Sequence, residues 1–87
     1  MTLRITPEDS AGGRERFRLE GSLAGLYVEE LGKALGPSLA QPRRVALDLS
    51  GLTFVDAEGA QLLKDLLSRD VSIHGCSSFV AQLIGLP

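Results

Sequence analysis

Every extended stretch of this chain is apolar on one side only, and that property limits the folds open to it. Leu3 and Ile5 alternate with Thr2, Arg4 and Thr6, while Phe17 and Leu19 alternate with Arg16, Arg18 and Glu20. Val45, Leu47 and Leu49 alternate with Ala46 and Asp48, and Val71 to Gly75 repeats the pattern on a smaller scale. A period of two puts successive side chains on opposite faces of a strand. A sheet covered on both sides needs strands that are apolar throughout. Here Thr2, Arg4, Arg16, Arg18, Asp48, Ser72 and His74 share the polar face. One face of the sheet is therefore left open, and the other must be covered.

Helices supply the cover. From Leu26 the period lengthens, and Tyr27, Leu31, Ala34 and Leu35 stack on one side of a helix that Gly36 and Pro37 are expected to stop. Leu62, Leu63, Leu66 and Leu67 form the stripe of a second helix from about Ala57 to Arg69. Ser77 or Ser78 caps a third carrying Phe79, Val80, Leu83 and Ile84, closed by Gly85 and Pro87. Pro7 is expected to end the first strand, and the turn residues Glu8 to Gly13 make it a hairpin with the second. The third strand is expected over Val45 to Ser50. The order is β-β-α-β-α-β-α: an α/β, two-layer fold with a mixed four-stranded sheet and three helices packed mainly on one face. Right-handed crossovers on a common face place strands two, three and four side by side. With 87 residues, 44% of them apolar, residues 1–87 are expected to form a single domain with little room for an active-site cleft.

Charge and cysteine usage exclude several functions. Nine basic against eleven acidic residues leave a net charge of −2, which draws the molecule to neither nucleic acid nor an anionic membrane. Arg4, Arg14, Arg16, Arg18, Arg43 and Arg44 suggest a basic stripe, yet Glu15, Glu20 and Asp48 oppose it and no aromatic residues interleave it. The lone Cys76 forms no internal disulfide and, with His74, makes too small a ligand set for zinc. No cofactor is expected. The N-terminus lacks the continuous apolar run of a signal peptide or membrane span, which points to a cytoplasmic protein without direct membrane insertion.

The informative turn is "TFVDAEGAQLL", Thr53 to Leu63. Asp56 stands where a strand ends and a helix begins, placed to cap the free amides, and Glu58 favours the positive end of the helix dipole. As an acid/base pair the two would need a common substrate, but side chains two apart at a helix start diverge, so catalysis is not expected here. Gly59 is costly inside a helix and must serve close packing or a close-approaching partner. The loop from Gly75 to Ser78 is expected to join this turn in one surface, where a small anion could also rest.

"VALDLSGLTFVDAEGAQLL", Val45 to Leu63, resembles the signature of the STAS family (sulfate transporter and anti-sigma factor antagonist), in which Asp-Leu-Ser leads to Asp-Ser-Ser-Gly at a helix start. Asp48, Leu49, Ser50, Gly51, Asp56 and Gly59 match. "RFRLEGSL" resembles the family's preceding strand and turn, and "VSIHGCSSFVAQLIGL" its closing strand and helix. The resemblance implies a non-enzymatic, bacterial, cytoplasmic interaction module of the anti-sigma factor antagonist type, bound by an anti-sigma factor kinase. It implies a contact surface of Ser50, Gly51, Thr53, Asp56, Ala57, Glu58, Gly59 and Leu62, with Ser77 beside it. In the family's antagonists the second serine of Asp-Ser-Ser-Gly is phosphorylated, which abolishes binding. That position is Glu58 here and its neighbour is Ala57, neither of which accepts phosphate. The domain is therefore expected not to be phosphoregulated there. The alternative is the small STAS subunit of a bacterial lipid-transport ABC transporter, which grips the transporter ATPase.

Overall fold

A computed structural model describes residues 2–8, 14–40 and 44–85. The elements follow the expected order: β1 (Leu3–Glu8), β2 (Arg14–Leu23), α1 (Leu26–Leu39), β3 (Arg44–Val55), α2 (Ala57–Ser68), β4 (Ser72–His74) and α3 (Ser78–Leu83). They build one mixed sheet in the order β1-β2-β3-β4, with β1 antiparallel to β2 and the other pairings parallel. Two parallel crossovers moving the same way keep the helices on one side. Leu19, Leu23, Leu47, Leu49 and Val55 of the sheet meet Leu31, Leu35, Leu63, Leu66, Val80 and Ile84 in a single core.

Three boundaries differ from expectation, each for a local reason. Pro7 lies inside β1 because Ser22 N–H donates to Thr2 O, so the ladder runs through Thr2, Arg4, Thr6 and Glu8. Pro7 falls between these positions with its nitrogen outward, and costs no ladder bond on this edge strand. α1 continues through Gly36 and Pro37 to Leu39. The added turn buries Ser38, whose hydroxyl donates to Glu15, and packs Leu39 on the core. Glu15 therefore faces the helices and does not oppose the arginines.

β3 is twice its expected length. Between Asp48 and Val55 its register against β2 shifts twice, with one extra β3 residue each time. These bulges bend the strand without ending it and return Leu52 and Val55 to the core. At the second, Thr53 Oγ1 donates to Gly21 O at 2.9 Å, replacing a ladder partner.

On the open face, Arg16 and Arg18 each bridge Glu8 and Asp48 at 3.3–3.8 Å. Arg16 and Arg18 are thus neutralised in pairs worth about 0–1 kcal/mol each. Arg43 and the side chain of Arg14 lie outside the described residues.

Candidate functional site

The sheet end where β2 and β3 deliver the chain to α1 and α2 is tied together by one carboxylate. Asp56 Oδ1 accepts the amide of Gly59 at 2.7 Å, capping α2, and its Oδ2 accepts the amide of Gly25 at 2.9 Å, at the start of α1. Asp56 N–H in turn donates to Leu23 O at 3.2 Å. The Gly25 amide, then the Gly59 amide, hold the Asp56 carboxyl below its ordinary range. A group with a depressed folded pKa adds stability that is complete above its unfolded pKa and lost as pH falls through the folded value. Asp56→Asn is therefore expected to flatten the acid limb of a stability–pH curve below pH about 4. An acid limb identical to wild type, followed by circular dichroism, would contradict this assignment.

Gly59 is buried, and its need for a bare backbone is internal. A Cβ there would stand 2.5 Å from Leu23 O, 3.0 Å from Leu23 Cγ and 3.1 Å from Val55 Cγ1. Asp56 and Gly59 are thus consumed by the fold, while Ala57 and Glu58 between them are exposed. Leu62, one turn beyond Glu58, is half-buried. The sequence reasoning missed Phe54, 40% exposed immediately before this turn, and Leu26, 80% exposed at the start of α1. An aromatic ending a strand and a leucine opening a helix were available signals, but neither residue was singled out.

Of the other expected contact residues, Ser50, Gly51 and Thr53 lie along β3 and Ser77 precedes α3. β4 ends where His74 pairs with Asp48, and a Cβ on Gly75 would lie 2.7 Å from Asp48 Oδ1 and 3.0 Å from Ser50 N. Ser77 caps α3, accepting Val80 N–H at 3.2 Å. Ser50, Gly51 and Thr53 belong to β3 and not to a loop. Ser50 N–H donates to Asp48 Oδ1 at 3.0 Å. That amide first, then the Ser50 hydroxyl and the two arginines, lowers the Asp48 pKa.

His74 is exposed, whereas Cys76, past the end of β4, packs on the core, so the two do not share a face. Burial raises the Cys76 thiol pKa, which disfavours the thiolate. No group of three or more His, Cys, Asp or Glu among the described residues is arranged to hold a metal. No helix among them is long and apolar enough to cross a membrane.

The family model described as "Mlab, STAS domain" matches residues 7–86. The chain belongs to the STAS family. No curated protein sequence matches it. Among solved structures, the STAS domain of an anti-sigma factor antagonist from Rhodobacter sphaeroides is 26% identical, with a TM-score of 0.69 over 84% of this chain and 86% of that one. The anti-sigma factor antagonist SpoIIAA in its unphosphorylated form superimposes with a TM-score of 0.76 at 16% identity, over 94% of this chain and 82% of that one. The likeness to SpoIIAA is one of fold. In this STAS domain the signature Asp and Gly make the internal contacts just described, and the pair between them, Ala57 and Glu58, faces outward.

Proposed function

We propose that this STAS domain is a non-enzymatic interaction module of the anti-sigma factor antagonist type, docking on an anti-sigma factor kinase through the start of α2. The observation that carries this is the division of labour at the Asp56 turn: fold-forming residues hold Ala57 and Glu58 rigidly exposed, beside Phe54 and Leu62. A preorganised helix start loses little freedom on binding. The 26% identity to an anti-sigma factor antagonist supports the same class. Ser50, Gly51 and Thr53 extend the contact along β3, while Asp56 and Gly59 act by shaping it.

Glu58 has no hydroxyl to accept a phosphoryl group, and its single charge falls short of the roughly 1.5 to 2 of phosphoserine. The surface is therefore constitutively available. A second reading, a small subunit gripping the ATPase of a bacterial lipid-transport complex, is favoured by the branch of the family whose model matches.

The test is an affinity pull-down from native cell extract with the wild-type domain and with Ala57→Arg, an exposed position where a long side chain disturbs no packing. Gly59→Arg is unsuitable because that site is buried. Recovery of a kinase-fold anti-sigma factor, lost with Ala57→Arg, supports the first reading; recovery of a transporter ATPase supports the second. The same partner bound equally by both proteins would remove the α2 surface from consideration. Glu58→Ser is expected to change affinity for that partner by less than about fivefold, as for a rim charge. Tightening beyond tenfold would mean that Glu58 is a fixed phosphate substitute.

A further inference from the structure

The outer edge of β1 and the groove behind it belong to neither the core nor the α2 turn. Since the ladder to β2 runs through Thr2, Arg4, Thr6 and Glu8, the main-chain groups of Leu3, Ile5 and Pro7 point outward. Among the described residues no strand pairs with that edge. Pro7 has no N–H, so the edge offers the donors of Leu3 and Ile5 and stops there. On the helix side, Leu3, Ile5, Leu26 and Tyr27 line an open groove of about 400 Å³ whose single charged lining residue among the described residues is Glu30. Leu26 is largely exposed on its rim, where burial repays a leucine little. The neighbouring Glu29 is tied to Lys33 at 3.7 Å, whereas Glu30 has no ion pair among the described residues.

We infer that this edge takes an extended protein segment by strand addition: an apolar side chain enters the groove, and a lysine or arginine two residues away on the same face meets Glu30. Strand addition supplies main-chain hydrogen bonds for affinity, and alternate side chains supply specificity. The Glu30 carboxylate, without an ion pair among the described residues, sets the sign of the required charge.

A second copy of this chain fits less well. Antiparallel pairing about Arg4 sets Arg4 against its own mate, a like-charge contact. Pairing about Ile5 sets Leu3 against Pro7 and forfeits a donor. In both, the mate presents Leu3 and Ile5 on the helix side, with no cation for Glu30.

The inference is independent of the α2 surface, and its test leaves Ala57 and Glu58 untouched. The whole chain is screened against a random heptapeptide display library, and enriched peptides are mapped by amide chemical shifts. The expected result is enrichment of an apolar residue and a basic residue two apart, with shifts at Leu3, Ile5, Leu26 and Glu30. Glu30→Gln weakens the selected peptide roughly two- to fivefold, the scale of an exposed ion pair. Leu26→Ser weakens it about tenfold, the scale of a partly buried leucine. No enrichment, enrichment indifferent to both variants, or shifts centred on α2 would overturn the inference. A concentration-dependent dimer with shifts along β1 would replace the peptide by a second copy.

Discussion

Gly59→Ala lowers the melting temperature of this domain by about 8–16 °C, although alanine is the better helix former. The methyl group removes a helix-interior glycine, a gain of about 1 kcal/mol. It also places a carbon 2.5 Å from the Leu23 carbonyl oxygen, and 3.0 and 3.1 Å from the side chains of Leu23 and Val55. The first of these neighbours is backbone, fixed by the Asp56 N–H that donates to it. It cannot turn aside as a side-chain tip would. Overpacking of this kind costs about 1–3 kcal/mol and occasionally more. With backbone as the obstacle, the net loss is expected near 2 kcal/mol, at about 4–8 °C per kcal/mol for a domain of this size. The same exchange at Gly32, where a Cβ meets nothing within 4 Å, isolates the helix-propensity gain and should raise the melting temperature by a few degrees. Thermal denaturation of the two variants side by side decides the matter. A Gly59→Ala protein as stable as wild type would show that α2 shifts freely over β2, and would reopen a partner-facing role for this glycine.

The parts of the structure legible in the sequence are those governed by periodicity. Alternation in four strands and the leucine stripe of α2 were enough for the order of elements, the two layers and the placement of β2, β3 and β4. Where one residue opposed the pattern, the outcome depended on tertiary context. Pro7 and Pro37 both looked like stops, yet an outward-facing edge position tolerates the first and the burial of Ser38 and Leu39 carries α1 past the second. The length of β3 was hidden because each bulge resets the alternation, so the strand was expected to end at Ser50. At the candidate site, the Asp56 cap was legible because an Asp before an apolar helical stripe has a local cause. Its second bond, to Gly25, joins residues 31 apart and leaves no local trace.

Leu23→Ala tests whether the core and the candidate site are one mechanical unit. Leu23 is fully buried, its carbonyl receives Asp56 N–H, and its side chain lies under Gly59. Truncating a fully buried leucine costs about 2–5 kcal/mol, the spread reflecting how far the surroundings relax into the cavity. Here the Leu23 side chain is held between β3 and the first turn of α2, and that turn is fastened at both oxygens of Asp56. Collapse is hindered, so the loss belongs in the upper half of that range, a large fraction of the stability of so small a domain. The main-chain bond from Asp56 survives the substitution, and α2 keeps its cap. The double variant carries the sharper expectation. Leu23→Ala removes the Cγ that a Gly59 methyl would strike at 3.0 Å but leaves the carbonyl oxygen at 2.5 Å. The two losses should therefore sum to more than the loss of the double variant by about 0.5–1 kcal/mol, the coupling expected of residues in contact. Urea denaturation of the four proteins closes the cycle. Strict additivity would mean that the carbonyl alone excludes a side chain at position 59. Coupling of the expected sign would mean that the packing of Leu23 sets the height at which α2 presents Ala57 and Glu58, so that core substitutions distant from any partner would still alter binding.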